Sequence, residues 1–87
     1  MKMLELTDQV ARIEINSTER YRWFWRRDIT KEILVEYTQR GSDCNPSIFI
    51  YDIYEIYNGY FDSVNYCFRI TIKLFIHNYI KENHEQY

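Results

Sequence analysis

One stretch decides between a sheet and a helical bundle in this 87-residue chain: RYRWFWRRDITKEILVEYTQRG, Arg20 to Gly41. Its first part, Arg20–Arg26, alternates aromatic and basic residues, as a strand with an inward aromatic face and an outward basic face does. Asp28 can then cap a helix, and Gly41 can end it in the left-handed conformation. The stretch therefore predicts a strand followed by a helix over Ile29–Arg40.

Three further segments have the pattern of strands. Val10–Ile15 and Phe68–Leu74 alternate apolar and polar residues, and Ile48–Tyr57 is rich in β-branched and aromatic residues. The Asn-Gly pair between Tyr57 and Tyr60 tolerates the positive φ angles of a type I′ turn, which predicts a hairpin there. The polar tail after Phe75 suits a short terminal helix.

Together these elements predict one α+β domain over residues 1–87, a small antiparallel sheet with a helix packed on one face. The expected order is ββαββ plus a short C-terminal helix. An all-α bundle is the alternative, because residues spaced by four also fit one helix from Ser17 to Arg40. Those residues are Tyr21, Trp25, Ile29, Ile33 and Tyr37. The alternation of Phe68–Leu74 favours the α+β interpretation.

Charge and cysteine content limit which partners and which cellular compartment we expect. The net charge of −2 does not recruit nucleic acid or an anionic membrane. Only the window Thr18–Lys31, with five basic and two acidic residues, is locally basic. Cys44 and Cys67 are expected to be free thiols. With no secretory signal and no apolar run of membrane-spanning length, the expected location is the cytoplasm, or the host cytoplasm if the chain is viral.

The sequence offers no site for catalysis. His77 and His84 are seven residues apart, which on a helix is too far to share one zinc ion. No phosphate-binding glycine motif and no nucleophile motif occurs. We therefore predict no catalytic residue, no metal and no cofactor.

Aromatic content points instead to a protein-binding surface. Nine Tyr, five Phe and two Trp are too many to bury in so small a domain, and Trp, Tyr and Arg dominate the energetics of protein interfaces. The predicted function is a small non-catalytic protein that binds and blocks or modulates a larger partner protein. An inhibitor of a host enzyme or defence complex, of phage or mobile-element origin, would be its concrete form. The predicted contact residues are Arg22, Trp23, Arg26, Arg27, Tyr51, Tyr54 and Tyr57.

Two other modes of association follow from the same residues. Ile48–Tyr57 is apolar on both faces when taken as a regular strand, which leads to the hypothesis of a homodimer through this segment. The alternative function is a nucleic-acid-binding module in which bases stack on aromatic rings and arginines hold phosphates. Its residues would be Arg20, Arg22, Trp23, Trp25, Arg26 and Arg27.

Overall fold

The computed structural model describes residues 1–21 and 25–85, with side chains described for 1–18 and 25–83. Within these residues, five strands pair in chain order into one antiparallel sheet, and a helix follows them. The elements are β1 (Lys2–Leu6), β2 (Val10–Tyr21), β3 (Trp25–Arg40), β4 (Ser47–Tyr57), β5 (Tyr60–Val64) and α1 (Arg69–Glu85). The chain is α+β as predicted, but the described order is βββββα rather than ββαββ.

The predicted helix over Ile29–Arg40 is wrong, because this segment lies within β3 and pairs with both β2 and β4. The spacing of four between Ile33 and Tyr37 fits a helix, but it is also a multiple of the two-residue repeat of a strand. Val35 lies between them and is fully buried, which only the strand repeat explains. The single helix from Ser17 to Arg40, and with it the all-α bundle, is wrong for the same reason.

The predicted strand Arg20–Arg26 is divided between two strands. β2 ends at Tyr21, β3 begins at Trp25, and these two residues pair with each other. The chain therefore reverses direction inside the segment, and residues 22–24 lie outside the described residues. Trp25 was expected to face the core, but it is 60% exposed, because this end of the β2–β3 hairpin extends past the other strands.

The predicted strand Phe68–Leu74 is also wrong, since α1 begins at Arg69. Ile72, Ile76 and Ile80 are buried at a spacing of four and pack against the sheet. Ile70 and Leu74, which alternation had placed inward, are exposed. An antiparallel sheet with one apolar face needs a covering layer, and α1 provides it.

A β-bulge divides β4. Glu36 pairs with Asp52 and Tyr37 with Ile50, so Tyr51 is an extra residue on β4. The bulge shifts the alternation by one residue, and Ile48 on one side and Ile53 on the other both face α1. The regular alternation expected for Ile48–Tyr57 is therefore wrong, and the opposite face of β4 is more polar than predicted.

Three local predictions are confirmed, whereas the terminal helix begins at Arg69 and is longer than the short helix expected after Phe75. Val10–Ile15 lies within β2, and Tyr57 and Tyr60 form the closing pair of a tight hairpin. Its turn residues Asn58 and Gly59 have φ angles of 48° and 85°, as a type I′ turn requires. The two cysteines are free and exposed.

The core is a single layer between the sheet and α1. It consists of buried residues from β2, β3, β4 and α1: Ala11, Ile13, Ile15, Ile33, Val35, Tyr37, Ile48, Ile53, Ile72, Ile76 and Ile80. In the described part of the chain, no helix is both long and apolar enough to cross a bilayer.

Candidate functional site

A two-stranded arm projects from the five-stranded sheet. β1 pairs with β2 no further than Glu14, and β4 pairs with β3 no further than Ile33. The pairing of β2 with β3 continues past these points, and its last six pairs run from Asn16↔Thr30 to Tyr21↔Trp25. At about 3.3 Å per residue these pairs extend about 20 Å. We call residues 16–21 and 25–30 the arm.

The described outer part of the arm exposes an indole and two guanidinium groups. Trp25, Arg26 and Arg27 are all exposed at the start of β3. Lower on the arm, the Thr18 hydroxyl donates a hydrogen bond to Asp28 across the strands at 3.4 Å. The window 18–31 carries +3 in a chain of net charge −2, which leaves −5 for the rest of the molecule. The window 18–31, which contains most of the arm, is thus locally positive in an acidic protein.

A buried carboxylate lies at the base of the arm. Glu55, on β4, is the only buried charged residue among those described. Its carboxylate accepts hydrogen bonds from the hydroxyls of Tyr57 and Tyr66, the latter at 3.4 Å, and lies 3.3 Å from the Nζ atom of Lys31. Lys31 is the residue of β3 next to the arm, so Glu55 connects the arm base to β4 and to the segment before α1.

The protonation equilibria of this cluster reflect burial and hydrogen bonding. Burial by itself would raise the pKa of Glu55, but the hydrogen bonds from Tyr57, Lys31 and Tyr66, together with the positive charge of Lys31, lower it below its ordinary value. Burial and the nearby Glu55 charge raise the pKa of Tyr66 to about 12. Around neutral pH the cluster therefore contains an ionised Glu55 carboxylate and a neutral Tyr66 phenol.

Glu55→Gln is expected to lower the free energy of unfolding near neutral pH by about 1–2 kcal/mol, because it weakens charge-assisted hydrogen bonds at a buried site. A carboxyl with a lowered folded-state pKa stabilises the fold above its unfolded-state pKa, and this contribution is lost as the pH falls. The difference between wild type and Glu55→Gln should therefore shrink below about pH 4.5, the ordinary value of the carboxyl.

Urea unfolding at several pH values measures this difference. The matched control is Glu5→Gln, since the Glu5 side chain is 55% exposed and its ion pair with Arg12 lies on the solvent side of the sheet. We expect a change below about 0.5 kcal/mol for the control, as for other exposed pairs. Equal effects of the two substitutions would contradict the role assigned to Glu55.

The predicted contact residues that the structure describes do not form one continuous surface. Arg26 and Arg27 lie on the arm. Arg22 and Trp23 lie outside the described residues, and so does the side chain of Arg20, which belonged to the nucleic-acid alternative. Trp25, which belonged only to the nucleic-acid alternative, is described and exposed on the arm.

The three predicted tyrosines of β4 face different directions. Tyr51 occupies the bulge and is 67% exposed. Tyr54 lies on the face opposite α1, with its hydroxyl 3.5 Å from the Glu36 carboxylate. Tyr57 donates to Glu55 near the arm base. Of the three, only Tyr57 lies near the arm.

The structure also bears on metal binding and on the predicted histidine positions. No group of three His, Cys, Asp or Glu side chains among them could hold a metal ion. The ring of His77, the histidine whose side chain is described, lies against the Pro46 carbonyl with Nδ1 at 2.9 Å from the oxygen. This contact positions α1 against the start of β4.

Sequence reasoning missed the cluster around Glu55. A signal was available, because a single carboxylate between Tyr54 and Ile56 in an apolar strand must either face solvent or be paired. The residues that pair with it, Lys31 and Tyr66, are distant in sequence, and only the register of β3 against β4 brings them together.

Comparison with known proteins gives no relative from which a function could be carried over. No family model matches the chain, and no curated protein or solved structure is significantly similar to it.

Proposed function

We propose that this chain is a small non-catalytic binding protein that blocks or modulates a larger partner protein by placing the arm on its surface. The single observation that carries the proposal is the projecting hairpin, whose described strands pair only with each other beyond Glu14 and Ile33, and which exposes Trp25 to 60%. A two-stranded hairpin is only marginally stable in water. A projecting hairpin with an exposed indole therefore contributes little to this fold and is better explained by contact with a second molecule.

The residue types on the arm favour a protein contact. Trp and Arg are the residues whose truncation most often costs about 2 kcal/mol or more at interfaces. Arg26 and Arg27 beside Trp25 combine a large apolar surface with groups that pair with carboxylates. The expected counterpart is an acidic, partly apolar surface of the partner.

Nucleic acid is the second candidate, because a two-stranded β-ribbon fits the major groove and this one carries +3 within the window 18–31. The remaining −5 of the chain opposes it, since phosphates near the sheet would meet acidic residues. The salt dependence of the binding affinity distinguishes the two candidate functions. Phosphate binding weakens steeply with salt concentration, and a contact centred on tryptophan does not.

Site-specific photo-crosslinking tests the proposal in cells that express the full chain. A benzophenone amino acid at Asp28, on the arm, should yield an adduct with one protein, and the adduct should survive nuclease treatment. The matched control is the same substitution at Asp62, an exposed aspartate on β5. An identical adduct pattern from both positions, or an arm adduct that nuclease removes, would contradict a protein contact through the arm.

Self-association through β4 remains a separate hypothesis with a narrower basis. One face of β4 lies under α1, and its second half is paired on both edges, with β3 and β5. The surface left for a second copy is the face that carries Tyr54 and Asp52. Light scattering of the purified chain tests this hypothesis. A strict monomer up to millimolar concentration would contradict it.

A further inference from the structure

A small open cavity lies where α1 passes the first half of β4. Its volume is about 230 Å³, and Phe49 and Leu74 line it together with Lys73 and His77. Phe49 is 46% and Leu74 54% exposed. The volume is below the range typical of sites for drug-sized ligands and suits a single apolar side chain.

This cavity exists because β5 is short. β5 pairs only with residues from Ile53 to Tyr57 of β4, and α1 lies along the unpaired edge that remains. Arg69 donates to the Tyr51 carbonyl at 3.4 Å, and His77 lies against the Pro46 carbonyl. The helix thus covers the backbone of the edge while the side chain of Phe49 stays accessible.

Two cations lie over the Phe49 ring, and one of them, Lys73, also lines the cavity. The Cζ atom of Arg40 is 5.0 Å, and the Nζ atom of Lys73 is 5.8 Å, from the centroid of the Phe49 ring. None of the ion pairs formed among the described residues includes Arg40 or Lys73, and no carboxylate lines the cavity within that part of the chain. Within the described residues, their charge is therefore not offset by an ion pair.

We infer that this cavity is a second docking site, which binds an acidic segment of a partner protein that carries one apolar anchor. The anchor side chain enters between Phe49 and Leu74, and carboxylates on either side of it pair with Arg40 and Lys73. This inference goes beyond the proposed function, since it concerns a different surface and does not depend on the arm.

Charge argues for such a partner over a second copy of this chain. A symmetric contact would place Arg40 and Lys73 of one molecule against the same cations of the other, and like charges at an interface oppose association. The arm of a second copy does not suit the cavity either, because the window 18–31 is itself positive. An acidic partner segment meets no such repulsion.

The test uses the full chain labelled with ¹⁵N and a synthetic peptide, acetyl-Asp-Glu-Asp-Phe-Asp-Glu-Asp-amide. NMR titration should shift the amide resonances of Phe49, Lys73 and Leu74. Two control peptides, one with Ala in place of Phe and one with Lys in place of every acidic residue, should bind at least about tenfold more weakly. Equal shifts with the lysine peptide, or no shift at all with the acidic one, would overturn the inference.

Two charge reversals on α1 make the test specific. Lys73→Glu should weaken binding of the acidic peptide by about tenfold or more, because it places a carboxylate beside the cavity. Lys81→Glu, an exposed position two turns further along α1, should change it by less than about twofold. Equal effects would reduce the contact to general charge attraction and overturn the site. Neither variant alters the arm, so crosslinking through Asp28 persists if the proposed function holds.

Discussion

Replacing residues 18–28 by Asn-Gly is expected to abolish partner binding while leaving the fold intact. The arm beyond Ser17 and Ile29 pairs only with itself, so its removal uncovers no core. It takes away Trp25 and both described arginines of the arm. Each anchor of this kind is worth about 2 kcal/mol or more, about 30-fold in affinity. Loss of two such anchors should weaken binding by about a thousandfold or more.

The geometry of the sheet fixes where the new turn should be placed. The Tyr37 amide donates to the Gln9 carbonyl at 2.9 Å, so odd-numbered residues of β2 and β3 form the hydrogen-bonded pairs of this ladder. Ser17↔Ile29 is such a pair, and a two-residue turn closes on a pair of this type. The chain already contains the same turn between Tyr57 and Tyr60.

Circular dichroism and thermal unfolding check the stability half of this prediction. We expect the melting temperature to stay within about 5 °C of wild type, since a change of 1 kcal/mol shifts it by about 4–8 °C in a domain of this size. The control Arg26→Ala/Arg27→Ala keeps the arm length and should weaken binding with no change in melting temperature. An excised chain that binds as wild type would show that the partner contacts another surface. An unfolded one would show that the arm is part of the fold.

Ile76→Ala is expected to destabilise the chain severely, by about 2–5 kcal/mol. Ile76 is fully buried between α1 and the sheet, and truncation leaves a cavity in the layer that covers the sheet. A domain of this size has only about 4–13 kcal/mol of stability, so a large share of it is lost. Equilibrium urea unfolding gives the value directly.

Leu74→Ala is the matched control for Ile76→Ala. Leu74 lies two residues earlier on α1 and is 54% exposed, so its truncation should change stability by about 0.5 kcal/mol or less. A strand over Phe68–Leu74 would predict the opposite, with Leu74 in the core. Comparable losses from the two substitutions would contradict the placement of α1.

The helix predicted over Ile29–Arg40 rested on residues four apart, such as Ile33 and Tyr37, which satisfy both the helical and the strand repeat. The strand predicted over Phe68–Leu74 rested on alternation, but Phe68 and Ile72 satisfy the helical repeat as well. Local pattern therefore could not separate helix from strand in either segment. Tertiary contacts determine the element type instead. β3 is a strand because it lies between two strands with which it pairs, and the segment from Arg69 is a helix that covers the apolar face of the sheet.

The hairpin prediction, which rested on backbone φ angles, succeeded, whereas the helix expected from the Asp28 cap and Gly41 did not form. The Asn-Gly turn was predictable because few residues accept two successive positive φ angles. The arm was not, because its projection depends on where β1 and β4 stop pairing, and no local pattern encodes that. The bulge at Tyr51 was not predictable either. It changes the face of the sheet on which every residue of β4 on one side of it lies.

The arm and the cavity beside Phe49 lie at opposite ends of the molecule. β3 carries Trp25 at one end and Arg40 at the other, and sixteen residues of strand extend about 50 Å, close to the 48 Å long dimension of the chain. A single partner must span this distance to occupy both surfaces. Two partners could occupy them at the same time.

Amide hydrogen exchange of the chain, free and in complex with the protein captured through Asp28, tests binding through the arm most directly. The arm strands each have one unpaired edge in the described ladder beyond Glu14 and Ile33, so their amides should exchange fast in the free chain. In the complex we predict slower exchange at Trp25, Arg26, Arg27 and Asp28, with no change in β5. Unchanged exchange along the arm, together with protection elsewhere on the sheet or on α1, would contradict it.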